Sequence, residues 1–114
     1  MANVYDTANQ LAQDLQQSQQ FLDMKKSFEM LKLDAVAYAL FQQFQDKQMT
    51  LQKKQMNGQE ISDDEINDLQ TLGGKMQSMD PINDLMAKEQ ALSQVMDDIN
   101  RTISQPIADL YQAK

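Results

Sequence analysis

Residues 80–104 read DPINDLMAKEQALSQVMDDINRTIS, and their spacing decides the fold. Leu85, Glu89, Leu92, Met96, Ile99 and Ile103 recur at alternating intervals of four and three. That row returns to one face of an α-helix every two turns and predicts a long helix with a heptad-like seam, broken only by Glu89. Asp80-Pro81 predicts its start, as a cap followed by a first-turn proline. Pro106 predicts its end or a kink, with Ile107, Leu110 and Tyr111 left as a last turn or a docked tail.

Working outward, four shorter helices precede this one. Val4, Ala8, Leu11 and Leu15 form a single stripe, predicting a helix over residues 3–17. A second covers 19–32, with Phe21, Leu22, Phe28 and Leu31 on neighbouring turns. Asp34 is placed to cap a third, which runs from Ala35 to Met56 and stops at Asn57-Gly58, where glycine supplies a left-handed residue. Ser62-Asp63-Asp64-Glu65 matches the S-x-x-E capping box and opens a fourth helix with the stripe Ile66, Leu69, Leu72 and Met76. Gly73-Gly74 falls inside that stripe and predicts a bend or a close helix contact. No segment has strand periodicity. The expected fold is all-α: one domain over residues 1–114, about five helices in an elongated antiparallel bundle with one or two long helices.

Composition narrows the chemistry. The 114 residues include no His, Cys or Trp, and 17 acids against 10 bases give a formal charge of −7. A phosphate backbone demands a Lys/Arg surface, so direct nucleic-acid contact is not expected. No apolar run reaches the ~18–20 residues needed to span a bilayer, and the first residues lack the basic and apolar regions of a signal peptide; a cytoplasmic protein is expected, with no membrane contact. Without His, a helical-bundle di-metal centre of the Glu-x-x-His type cannot be assembled. Neither Asp63-Asp64-Glu65 nor Asp97-Asp98 matches a calcium loop. The expectation is therefore no catalytic, cofactor-binding or metal-binding residue.

Two features remain. Residues 59–80 carry six acids against Lys75, read either as a solvated face complementing the helix dipole or as a docking strip for a basic partner. Ala35-Val36-Ala37-Tyr38-Ala39-Leu40-Phe41, with Phe44, is apolar around the whole helix, which implies burial on more than one side. Either helices one, two and five enclose it within the subunit or part of it faces another chain. Ala37, Leu40, Phe41 and Phe44 are thus the candidate interface of a homo-oligomer, expected to be a dimer. Gln42 to Gln55 is mostly polar and is expected to project outward. Glu89 reads as a structural acid, at the edge of the seam or paired with a Lys or Tyr, and Met76, Met86 and Met96 as fillers of core gaps.

The order of these elements resembles a known family. Tyr5-x-x-Ala8-x-x-Leu11-Ala12, then Phe41-x-x-Phe44-Gln45-x-x-Gln48, the Gly58 turn, and Asp80-Pro81-Ile82 leading to Glu89-x-x-Leu92-x-x-Val95-Met96-x-x-Ile99 look like the YlbF/YmcA family. Ile103-x-x-Pro106-Ile107-x-x-Leu110-Tyr111 looks like its YheA-type branch of uncharacterised proteins from Gram-positive bacteria. The resemblance implies an all-helical, oligomer-forming cytoplasmic protein without enzymatic activity. It also implies a regulatory or adaptor role through helix-mediated contacts with protein partners, as in relatives that affect competence, sporulation, biofilm formation and processing of messenger RNA. The cysteine-ligated iron–sulfur clusters associated with that regulatory complex have no ligands in this chain. The alternatives are an oligomeric structural protein and, more remotely, a carboxylate or metal-dependent enzyme.

Overall fold

Backbone hydrogen bonding divides the chain into five α-helices joined by short connections: α1 (Val4–Gln16), α2 (Gln19–Leu33), α3 (Ala35–Met56), α4 (Asp63–Met76) and α5 (Asp80–Gln112). The computed structural model describes residues 3–113, and among them there is no strand.

Each boundary has a local cause. Asn3 Oδ1 accepts from the Tyr5 N–H at 2.9 Å and starts α1. Ser18 serves both neighbours: its hydroxyl donates to the Leu15 carbonyl at the end of α1 and accepts from the Phe21 N–H in the first turn of α2. The Asp34 carboxylate accepts from the Ala37 N–H at 3.1 Å, the cap expected for α3. At the other end of α3, Gly58 has φ 71°. The Gly58 N–H donates to the Gln55 carbonyl and the Gln59 N–H to the Lys54 carbonyl, the paired bonds of a Schellman termination. Around Ser62 the full capping box forms: the Glu65 N–H donates to Ser62 Oγ, and the Ser62 N–H donates to Glu65 Oε1, each at 3.2 Å.

One boundary differs from expectation, and at another the structure chooses between two alternatives. Asp80 is the first residue of α5 rather than its cap; the Ile82 and Asn83 N–H groups donate to the Met79 carbonyl, so Met79 takes the cap position. Pro81 still sits in the first turn, where its missing N–H costs nothing. More consequentially, α5 passes through Pro106 and continues to Gln112. Proline removes one i to i−4 bond, the one that would end on the Thr102 carbonyl, and here every residue from Asn100 to Ala113 is exposed, so water can satisfy that carbonyl. Gln105 Nε2 also bridges to Asp109 Oδ1 across the proline at 2.8 Å. Ile107, Leu110 and Tyr111 are not a docked tail: they are 60%, 73% and 85% exposed.

The chain separates into two compact units, one of residues 1–26 with 87–114 and one of residues 27–86, so that α2 and α5 each contribute to both. In the second unit α4 packs along α3. All the buried apolar side chains of the described residues lie here: Leu31, Ala37, Phe41, Leu72, Met76, Ile82 and Leu85. Phe28 of α2 meets Tyr38 and Phe41 of α3 edge-on, with ring centroids 6.1 and 6.4 Å apart, and Lys32 Nζ lies 5.0 Å above the Phe28 ring. Buried Ser27 donates its hydroxyl to the Asp84 carboxylate, tying α2 to the first turns of α5. The first unit holds α1, the beginning of α2 and the rest of α5, and none of its described residues is buried.

Candidate functional site

Charge is organised first along the α3–α4 pair. Lys54 Nζ lies 2.6 Å from Glu65 Oε2 and Lys47 Nζ lies 3.4 Å from Asp68 Oδ2. Four of the six acids of residues 59–80 are therefore engaged locally: Asp63, Asp64 and Glu65 occupy the first turn of α4, where the helix dipole favours negative charge, and Glu65 and Asp68 answer lysines of α3. The polar half of α3 does not simply project outward; it carries the lysines that hold α4. Glu65 accepts from Lys54, from the Ser62 N–H and from the Ser62 hydroxyl, which together hold its carboxyl below the usual glutamate range. Every one of its contacts stabilises the α3–α4 turn, so its chemistry is that of a structural carboxylate.

The four α3 residues singled out from sequence are placed differently from one another. Ala37 is fully buried and Phe41 is 9% exposed, both covered within the second unit. Phe44 is half-buried beside α4; a Cβ placed on Gly73 would stand 3.7 Å from its Cε2 atom. Leu40 is half-buried and lines an open groove of about 550 Å³ with Ala35, Val36, Ala39, Gln43, Lys75, Ser78 and Met79. The physical reason for this split is that α2 and α4 cover two sides of α3, leaving the flank that bears Val36, which is 69% exposed. Val36 and Ala39 share the 3–4 spacing that marked Leu40, so they were findable in the sequence. Met79, which comes from the α4–α5 connection, was not.

A second groove lies within the first unit. Leu11 of α1 lines it with Val95, Asp98, Ile99, Thr102 and Ile103 of α5. The apolar rows that flank it are largely exposed: Val4 at 76% and Leu11 at 37% on α1, and Ile103, Ile107 and Leu110 at 60% or more on α5. Glu89 is exposed to solvent, which removes the need for a buried partner. Of the three methionines expected as core fillers, Met76 is buried, whereas Met86 and Met96 are 45% and 38% exposed. Among the described residues no group of three or more Asp or Glu side chains is arranged to hold a metal ion, and no helix is long and apolar enough to cross a membrane.

A family model described as control of competence regulator ComK, YlbF/YmcA, matches residues 4–108. A UPF0342 protein of Lacticaseibacillus casei is 61% identical over 114 residues, covering all of both chains. One from Latilactobacillus sakei is 51% identical over 110 residues, 96% of each chain. A solved structure, a protein of unknown function (DUF964) from Bacillus stearothermophilus, superposes with a TM-score of 0.87 at 30% identity over 96% of both chains. Helix order, caps and these matches across nearly the whole length lead to one conclusion: the chain belongs to the YlbF/YmcA family of competence-control proteins.

Proposed function

We propose that this protein is a non-enzymatic, cytoplasmic adaptor with a regulatory role, acting through helix-mediated contacts with protein partners and assembling with itself as a dimer. The observation that carries the reading is the row of helix-spaced apolar side chains left uncovered on α1, α3 and α5, in a family whose description is regulatory. Surface apolar residues are ordinary when scattered; contiguous rows rimmed by polar residues mark interaction sites.

Within α3, Leu40 together with Val36 and Ala39 is the part assigned to a partner. Ala37 and Phe41 support that flank from beneath, and Phe44 supports the contact with α4. Substituting Phe41 would damage the core before it reported on any interface, so the informative variant is Val36→Glu with Leu40→Glu. Affinity capture from cell lysate should recover a second protein with the wild-type chain and lose it with the double variant, at unchanged helicity. Recovery of the bait alone would instead favour a purely structural oligomer, the alternative reading. An adaptor surface elsewhere would show as a partner retained by both.

A further inference from the structure

Asn57-Gly58 ends α3, and the sequence contains no other Asn-Gly pair. The remaining asparagines precede larger residues: Asn3 before Val4, Asn9 before Gln10, Asn67 before Asp68, Asn83 before Asp84 and Asn100 before Arg101. The pairing matters chemically. The backbone nitrogen that follows an asparagine can attack the side-chain carbonyl carbon, and a Cβ on the following residue crowds that approach; glycine has none. Asn57 and Gly58 are both exposed, and nothing stands within 4 Å of the place a Gly58 Cβ would occupy, so water reaches the site. By contrast, Asn3 caps α1, and Asn9, Asn67, Asn83 and Asn100 lie inside helices.

We propose that Asn57 is a deamidation site whose reaction is gated by the turn that joins α3 to α4. The only co-reactant is water. The Gly58 nitrogen gives up its proton to solvent and bonds to Asn57 Cγ, and the side-chain nitrogen leaves as ammonia with a proton taken from solvent. Water then opens the five-membered imide. Breaking the new bond between Cγ and the Gly58 nitrogen gives aspartate; breaking the original bond from the Asn57 main-chain carbonyl carbon gives isoaspartate. One water is consumed and one ammonia released, with no change of oxidation state.

The folded geometry opposes the first bond. Asn57 has φ −88° and ψ 5°. A ψ near zero sets the Gly58 nitrogen alongside Asn57's own nitrogen across the Cα–C bond, whereas ring closure requires it alongside Cβ. The same Gly58 N–H donates to the Gln55 carbonyl at 3.2 Å, and the Gln59 N–H donates to the Lys54 carbonyl at 2.9 Å. The last turn of α3 must therefore open before Asn57 reacts. Lys54, whose carbonyl takes the second of these bonds, is tied by its ammonium to Glu65 at 2.6 Å, and Glu65 is fixed in the capping box of α4. That ion pair clamps the turn. Conversion acts back on it: either product puts a carboxylate beside the last carbonyls of α3, where the helix dipole disfavours negative charge. Isoaspartate also adds an atom to the main chain, which upsets the spacing that the Schellman bonds require. Opening of the turn is reversible, but loss of ammonia is not, so each event leaves a chain with a looser α3–α4 turn.

The full chain, incubated in mildly alkaline buffer, is the test object. Trypsin releases residues 55–75 as one peptide, in which mass spectrometry reads the exchange of NH2 for OH and chromatography separates the aspartyl from the isoaspartyl form. Conversion should occur at Asn57 and not at Asn67 of the same peptide. It should run about tenfold or more faster in guanidinium chloride, where the gate is absent. Glu65→Gln keeps a side chain able to complete the capping box and should retain helicity by circular dichroism. It should speed the reaction of the folded chain by about two- to fivefold, the reach of a half-exposed ion pair, and leave the rate in denaturant unchanged. Lys54→Met removes the same pair from the other side and should match it. An Asn57 that stays intact in the folded chain while the unfolded chain converts would overturn the site, and so would equal conversion at Asn67. Equal rates in folded and unfolded chains, or either variant reacting at the wild-type rate, would overturn the gate.

Discussion

Replacing Gly74 by Ala should stabilise the protein, and replacing Gly73 should do so by a different route. Both glycines lie in helical backbone near the end of α4, neither with positive φ. A Cβ on Gly74 meets nothing within 4 Å, so the only consequence of Gly74→Ala is the conformational freedom removed from the unfolded chain. That is worth roughly 0.5–1 kcal/mol in a helix. Unfolding entropy near 2.1 cal/mol/K per residue gives about 240 cal/mol/K for a chain of this size, so Tm should rise by about 2–4 °C. At Gly73 the new methyl would stand 3.7 Å from Phe44 Cε2, ordinary van der Waals contact. Gly73→Ala should therefore gain the same entropic increment plus a contact with the ring. Thermal melts by circular dichroism of both variants, repeated in a Phe44→Leu background, separate the two contributions. The Gly74 increment should survive unchanged, and part of the Gly73 increment should vanish with the ring. A fall in Tm for Gly74→Ala would refute the helical backbone at that position, and a fall for Gly73→Ala would mean that α3 and α4 approach too closely to admit a methyl.

Other expectations follow from the core and the α3–α4 turn. The Glu65 carboxyl is held below its ordinary value by Lys54 and then Ser62, so its contribution is fully present above the unfolded glutamate range and is lost as pH falls through the lower folded value; denaturant melts between pH 7 and pH 3 should show Glu65→Gln losing less stability on acidification than the wild type. Ile82 is fully buried, and Ile82→Ala should cost about 2–5 kcal/mol in urea unfolding; a loss below 1 kcal/mol would show that the site collapses or was not sealed. Ser27→Ala should cost about 1 kcal/mol, because it removes the hydroxyl donor to Asp84 while leaving no buried group unpaired on α2. We also expect residues 1–114 to behave as one domain, with heat unfolding in a single transition, since the unit without buried side chains has no core with which to persist alone; two resolved transitions would contradict this.

Helix count and nearly every helix end could be read from residues alone, because those features are local. A capping box needs Ser62 and Glu65 three apart, a Schellman termination needs Gly58 to reach positive φ, and an N-cap needs Asp34 next to the first turn. None of these depends on what lies across the core. The end misread at Asp80 and the one left open at Pro106 were those where a local rule leaves room for choice. A proline in a helix costs one bond, and a helix tolerates it more readily where the surrounding residues are exposed, as those around Pro106 are. Asp80 could cap or enter α5, and the Met79 carbonyl took the capping place.

Tertiary structure decided which apolar residues became core and which stayed surface. Helical spacing gives Phe41 and Ile103 the same standing, as members of apolar rows. One is enclosed by α2 and α4, and the other is 61% exposed, because coverage depends on elements distant in sequence that periodicity cannot see. For the same reason the sequence could not show that two acids of α4, Asp68 and Glu65, stand opposite Lys47 and Lys54 of α3. The sequence determined by itself that the chain is helical, where most of its helices begin and end, and that it lacks the histidine and cysteine on which much catalytic and metal-binding chemistry depends. Only the fold determined which rows its own helices could cover, and so which were left open to another chain.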